Sequence, residues 1–274
     1  MLRRLSAKDV PNKVLYVKSK LEFPQQLKSD VVYFLDGKID LGDRSLEVPA
    51  TGLYLSGHNF DVSGLFSTVD NHTVFTSPVG GSGNLVCGDF YISTSGAGSK
   101  VYDLVGATGD EAFEFSAINY ADCTSRGVIN NYRQGLETGI GLFGGKHELT
   151  MSGAWNGYRI DTSIVRGLDD ISALFKAGAG FTLSGRFITD INCDLPTSGT
   201  LLDFAESNIV NDESLVIQGA FITRNGVINP EDTGITPNIN ESSVKSSWKG
   251  NTGLPNTTKY IKGVCSAEIE TVIS

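Results

Sequence analysis

One short pattern recurs seven times along the chain and constrains its fold more than any other feature. An apolar residue stands two positions before a small residue in every copy, and in six of the seven another apolar or aromatic residue stands four positions before it. The small residues are Gly37, Gly57, Gly88, Ala117, Gly153, Gly185 and Gly219. Successive copies lie 20 to 36 residues apart, which is too irregular for leucine-rich or ankyrin repeats but suits a coil with one fixed strand and variable loops.

Each copy alternates like a strand with one buried face, as in "GLYLSGHNFDVSG", where Leu53 and Leu55 share a side. If the copies stack roughly 4.8 Å apart, their apolar columns form one interior. The pattern therefore predicts an all-β chain folded as a right-handed parallel β-helix, a pectin-lyase-like solenoid, with Gly57 at a corner. Asn59 either bonds the local backbone at that corner or begins a variable loop. An antiparallel sandwich or jelly roll is the alternative fold, because it too has short strands and many turns.

The repeat divides the chain into three segments. Residues 1–30 are charged with scattered apolar residues, which predicts an N-terminal cap or attachment segment over the first coil. Residues 31–226 carry the repeat and form the predicted β-helix. Residues 227–274 lose it and are rich in Asn, Thr and Gly, which favours a C-terminal capping or trimerisation segment. Trp248 and Tyr260 lie in this polar segment, where large aromatics need a surface to cover, so both are candidate assembly residues.

The charge balance disfavours two kinds of partner. The chain has 22 Lys and Arg against 31 Asp and Glu, for a formal net charge of −9 at pH 7. Nucleic acid and anionic membrane surfaces both attract a basic face, so neither is an expected partner. The sequence also contains no apolar run of about 18 residues and no apolar stretch of signal-peptide type near its start, which predicts synthesis in the cytoplasm and no membrane insertion.

The metal-binding and nucleophilic residue types show no arrangement that predicts a cofactor or a metal. The four cysteines are Cys87, Cys123, Cys193 and Cys265. They are far apart, without a CxxC pair, which favours free buried thiols. The three histidines are His58, His72 and His147. They have turn-like surroundings and no recognisable nucleophile motif, so we expect them at the surface or in turns.

Three segments resemble bacteriophage virion proteins of the right-handed β-helix type. "VVYFLDGKIDLGDRSLEVPATGLYLSGHNFDVSGL" resembles their entry coils, "AINYADCTSRGVINNY" a later rung, and "SSVKSSWKGNTGLPNTTKYI" the polar segment after the last rung. The resemblance covers most of residues 23–263. It implies a homotrimeric tail fibre or tailspike-like protein in the virion, in contact with other virion proteins, which serves host attachment or a structural role. Longer members carry a docking domain and often act on host surface polysaccharide.

An enzymatic reading needs two carboxylates on one outer face. Asp122 and Asp190 each stand five residues after an anchor of the repeat, with Tyr158 between them as a possible platform for a sugar ring. These three are weak catalytic candidates, because any column of an acidic protein yields such pairs. The favoured function is a structural or adhesive virion protein, and an enzymatic role is disfavoured but left open. The alternatives are a β-helical glycoside hydrolase or polysaccharide lyase and, less favoured, a non-viral β-helical scaffold.

Overall fold

The computed structural model describes residues 11–185, 187–203, 208–209, 215–217 and 221–227. In these residues the regular structure consists of β-strands. The strands are β1 (Lys13–Val17), β2 (Val31–Leu35), β3 (Lys38–Asp40), β4 (Leu46–Glu47), β5 (Leu53–Gly57), β6 (Gly64–Ser67), β7 (Thr73–Thr76), β8 (Leu85–Thr94), β9 (Lys100–Val105), β10 (Ala112–Ala121), β11 (Gly127–Asn130), β12 (Gln134–Thr138), β13 (Gly141–Phe143), β14 (Leu149–Ser152), β15 (Ala154–Trp155), β16 (Gly157–Arg166), β17 (Ala173–Ala177), β18 (Thr182–Leu183), β19 (Phe187–Leu195), β20 (Thr200–Asp203), β21 (Asn208–Ile209), β22 (Leu215–Ile217) and β23 (Phe221–Arg224).

These strands form three parallel sheets that share one interior. The long sheet has 13 strands, and its main path runs β1-β2-β5-β8-β10-β12-β16-β19-β22. A second sheet runs β20-β17-β14-β11-β9-β7-β4, and a third runs β15-β18-β21. The chain alternates between the long sheet and the second sheet, adds strands of the third sheet from β15 onward, and returns each time to the long sheet one rung further on, in about seven turns. The predicted all-β solenoid of stacked parallel strands is therefore confirmed, and the antiparallel sandwich is wrong.

Residues in register on successive rungs form columns that fill the interior. One inward column of the long sheet contains Leu53, Leu85, Phe113, Gly135, Tyr158 and Phe187. Its large side chains are all buried, so each rung covers the apolar surface of the rung before it. Gly135 has no side chain because the ring of Tyr158 occupies the space that a Cβ would need. Cys87, Cys123 and Cys193 are buried, as predicted, and Cys265 lies outside the described residues.

The repeat mixes strands from different sheets. Ser56, not Gly57, pairs with Gly88 on the next rung. Gly153 follows β14 of the second sheet, and Gly185 follows β18 of the third. The same alternation of apolar residues marks strands on all three sides of a solenoid, so the sequence pattern finds the coils without telling the sides apart.

Gly57 lies at a corner, as predicted, and the lack of room there explains why it is glycine. A Cβ on Gly57 would lie 2.5 Å from the carbonyl oxygen of Asp89 and 2.6 Å from the Cβ of Ser63. Asn59 begins the corner loop, where its Oδ1 accepts hydrogen bonds from the backbone N–H of Asp61 at 2.8 Å and of Val62 at 3.2 Å. Of the two readings of Asn59, bonding to the local backbone is confirmed.

Replacing Gly57 with alanine is expected to lower the free energy of unfolding by about 1 to 3 kcal/mol, because the new methyl group meets backbone that cannot move without disturbing the next rung. Gly88→Ala is the matched control, since its Cβ would meet no atom closer than the Ser116 carbonyl oxygen at 3.5 Å. Chemical denaturation of the two variants and the wild type measures the difference. Equal stability of both variants would contradict a close-packed corner.

The described part of the N-terminal segment extends the solenoid. β1 pairs in parallel with β2 and so adds a rung before residue 31. The loop after it buries Phe23 and Leu27 against the core. Arg44 holds this loop through its guanidinium, which donates to the carbonyl oxygens of Lys20 at 2.7 Å and Pro24 at 2.8 Å. Residues 18–27 therefore pack on the first turn of the solenoid.

Candidate functional site

The structure does not bring the three candidate catalytic residues together. Asp122 is exposed just after β10, in a left-handed backbone conformation (φ 51°). Asp190 lies within β19, and its side chain is outside the described residues. Tyr158 is 2 % exposed and faces the interior, so the expectation that it lies between the aspartates on an outer face is wrong. Trp248 and Tyr260, the candidate assembly residues, also lie outside the described residues.

Strand register shows that the two aspartates are far apart. Ala121 pairs with Phe143, and Phe143 with Arg166. Val165 pairs with Cys193, which places Leu195 in line with Asp122. Asp190 is therefore three strand spacings away, roughly 14 Å, and is also displaced by five residues along the strand, roughly 16 Å. The two aspartates therefore do not share one outward column, and their backbone positions do not match the spacing of a glycosidase pair.

A buried ion pair crosses the interior beneath the long sheet. Arg126 and Glu137 both have side chains that are 0 % exposed, and Nη1 of Arg126 donates to Oε2 of Glu137 at 3.0 Å. Nε of Arg126 donates to the carbonyl oxygen of His147 at 2.9 Å. The guanidinium also lies 4.8 Å from the ring centroid of Phe175. Burial lowers the pKa of Arg126, but the Glu137 carboxylate outweighs it and the net shift is upward, so the arginine stays charged.

Tyrosine hydroxyls complete this cluster. Tyr158 donates a hydrogen bond to Oε2 of Glu137, and Tyr120 donates to Oε1 at 3.2 Å. The hydroxyls of Tyr120 and Tyr102 are 2.6 Å apart. Burial raises the pKa of all three tyrosines well above the ordinary value, so they remain neutral donors. The cluster joins β9, β10, β12 and β16, and because it is sealed from solvent it fixes the stacking of rungs instead of binding a ligand.

The histidines all lie outside the strands, in keeping with the expected turns, but two of the three are buried. His58 is half exposed, with its Nε2 3.2 Å from a carboxylate oxygen of Asp36. His72 is buried, with Nε2 2.9 Å from the carbonyl oxygen of Arg44. His147 is fully buried, and burial together with the nearby Arg126 cation lowers its pKa to about 4. The loop positions were predicted, but the surface reading is wrong for His72 and His147.

A groove on the outer face of the long sheet is the candidate functional site. It has a volume of about 230 Å³ and crosses β10, β12 and β16 where the third sheet meets the long one. The side chains that line it include Glu114, Gln134, Leu136, Asn156, Arg159 and Ile188. Glu114 pairs with Leu136 across the rungs, Leu136 with Arg159, and Arg159 with Ile188. The groove thus holds one outward column in which charged and aliphatic residues alternate.

The groove forms because small residues meet at the junction of two sheets. β15 ends at Trp155, and the chain turns at Asn156 before β16 begins at Gly157. Gly185 packs against the backbone of Asn156 one rung further on. These positions leave room beside the outward column, whose side chains line the groove. No local signal in the sequence marks this site, because the column of Glu114, Leu136 and Arg159 appears only once the strands are stacked in register.

The polar groups of the groove are incompletely paired. Arg159 uses Nε on a carboxylate oxygen of Asp161 at 2.7 Å, and Nδ2 of Asn156 donates to Oγ of Ser184 at 3.2 Å. Within the described residues, the carboxylate of Glu114 and the side-chain amide of Gln134 have no hydrogen-bond or ion-pair partner. The groove therefore offers a ligand the carboxylate of Glu114, the amide of Gln134 and the terminal nitrogens of Arg159.

Comparison with known proteins does not assign this chain to a family. Neither a protein-family model nor a curated protein or solved structure matches this chain. Across the described residues, no set of three His, Cys, Asp or Glu side chains is grouped as a metal site would require. None of those residues forms a helix with the length and apolar character that crossing a bilayer demands.

Proposed function

We propose that the protein is a structural or adhesive component of a bacteriophage virion, a fibre or tailspike-like spike built on a right-handed, pectin-lyase-like β-helix. The observation that carries the proposal is the solenoid of about seven parallel turns. Its interior is filled by side chains, and the Arg126–Glu137 pair connects successive rungs. A closely packed solenoid of this kind is a stiff rod that suits bearing load or presenting a surface. The resemblance of its coils to virion proteins supports the viral setting.

Mass spectrometry of purified particles tests the virion role directly. The chain should be present in particles of the phage that encodes it. If the role is adhesive, the purified protein should bind the surface polysaccharide of host cells and compete with the particles for adsorption. Presence in particles without competition favours a purely structural part, and absence from particles contradicts the proposal.

We favour a role without enzymatic activity over an enzymatic one, and the two aspartates provide the test. Asp122→Asn and Asp190→Asn should each leave attachment and particle assembly unchanged, because the strand register holds these residues too far apart to act as an acid–base pair. The measurement is release of reducing ends from host polysaccharide. Release by the wild type that disappears in either variant would favour the glycoside hydrolase or lyase instead.

We further propose that the protein assembles as a homotrimer through residues 227–274, with Trp248 and Tyr260 covering a neighbouring subunit. Light scattering of the full chain should give about three times 29.3 kDa. A chain ending at Gly226 should fall toward monomer or aggregate. A monomeric full chain would contradict the trimer, and a truncated chain that remains trimeric would contradict the role of this segment.

A further inference from the structure

We infer that the groove on the long sheet binds a small aliphatic zwitterion, with an ammonium group against Glu114, a carboxylate against Arg159 and the aliphatic chain over Leu136. This assignment goes beyond the proposed virion role and does not depend on it. The two charged residues lie in one outward column with Leu136 between them. Their backbones are therefore two strand spacings apart, roughly 10 Å.

Charge complementarity favours a ligand that carries one positive and one negative group. A simple anion would meet the unpaired carboxylate of Glu114, and a simple cation would meet Arg159. Nε of Arg159 is engaged by Asp161, and no hydrogen bond within the described residues occupies its two terminal nitrogens. Those nitrogens form the planar fork that suits a carboxylate. Glu114 and Arg159 do not pair with each other in the described structure, so each is available to a separate end of one ligand.

The apolar part of the groove favours an aliphatic body over a sugar. Leu136 and Ile188 are partly exposed along the outward column. The aromatic residues at the groove, Phe113 and Tyr158, are 0 % and 2 % exposed and point into the core, so neither presents a ring face on which a pyranose could stack. The volume of about 230 Å³ suits a small molecule instead of a protein segment.

Isothermal titration calorimetry with three matched probes tests the assignment. 6-Aminohexanoate carries both charges on a short alkyl chain, hexanoate lacks the ammonium, and hexylamine lacks the carboxylate. The zwitterion should bind more tightly than either by about two- to fivefold for each lost charge, and its affinity should fall as salt is raised. Equal binding of all three probes, no binding of the zwitterion, or tighter binding of a neutral monosaccharide would overturn the inference.

Two charge variants locate the site. Glu114→Gln should weaken 6-aminohexanoate by about two- to fivefold and leave hexanoate no weaker, while Arg159→Gln should weaken 6-aminohexanoate and leave hexylamine no weaker. Asp170→Asn removes an exposed carboxylate outside the groove and should change none of these affinities. Amide chemical shifts of β12 and β16 should move on titration. Affinities unchanged in both groove variants, or an equal loss in Asp170→Asn, would place binding elsewhere and refute the assignment.

Discussion

Replacing Arg126 with methionine is expected to lower the free energy of unfolding by about 3 to 5 kcal/mol. The substitution leaves the Glu137 carboxylate in the core without its cation, and burying an unpaired charge costs far more than an exposed pair contributes. It also removes the donor to the carbonyl oxygen of His147 and the cation above Phe175. Chemical denaturation monitored by circular dichroism measures the loss.

An exposed ion pair supplies the matched control for this experiment. Arg133 and Asp110 form a 2.7 Å pair whose side chains are both more than half exposed. Arg133→Met should therefore cost under about 1 kcal/mol. The double variant Arg126→Met/Glu137→Leu should be more stable than Arg126→Met alone, because it removes the stranded charge. It should not reach the wild type, since Tyr120 and Tyr158 lose their acceptor. Equal losses of unfolding free energy in Arg126→Met and Arg133→Met would show that the buried pair contributes no more to stability than the exposed one.

Strand β12 contributes to both the buried pair and the outer groove, because its charged residue faces the interior and its leucine faces outward. In β12 the sequence is Gln-Gly-Leu-Glu-Thr, and a sequence reading would place Leu136 inside and Glu137 outside. The structure does the reverse: Glu137 is buried, and Leu136 is partly exposed at the centre of the groove. A slip of one residue would exchange the two faces. Arg126 opposes that slip because it can pair with Glu137 only when the carboxylate faces inward.

The sequence predicted the coils well because their signal is local. Alternating apolar residues, a crowded glycine at a corner and an asparagine that bonds its own loop are each readable within a few positions, as at Leu55, Gly57 and Asn59. The sites depend on register between rungs that are some 20 to 30 residues apart in the chain. Aligning the repeats on their small residues places Tyr158 on the outer face. In the structure Tyr158 stacks in register with Gly135 and Phe187 and therefore faces the interior.

Acid is expected to weaken the wild-type fold through His147 well before most carboxylates lose their charge. Burial and the Arg126 cation lower the pKa of this histidine from 6.5 to about 4. Between those values the unfolded chain binds a proton that the folded chain refuses, so stability falls as the pH falls from about 6.5 to about 4. The shift corresponds to a loss of about 3 kcal/mol across that window. The rings of Tyr120 and His147 also lie in a T-shaped arrangement at 6.4 Å between centroids, and that tyrosine stays neutral there.

His147→Asn isolates this contribution from the rest of the acid response. Asparagine tolerates the left-handed backbone at this position (φ 53°), and it does not titrate. The variant loses the contact between Nε2 and the carbonyl oxygen of Phe143, so it should be less stable at pH 7 by about 1 kcal/mol. Between pH 6.5 and 4 its stability should fall less than that of the wild type, and near pH 4 the two curves should converge or cross. The measurement is the urea midpoint in half-unit pH steps. Parallel curves for the two proteins across this window would mean that His147 takes up its proton equally in both states, and that the core accepts a second cation beside Arg126.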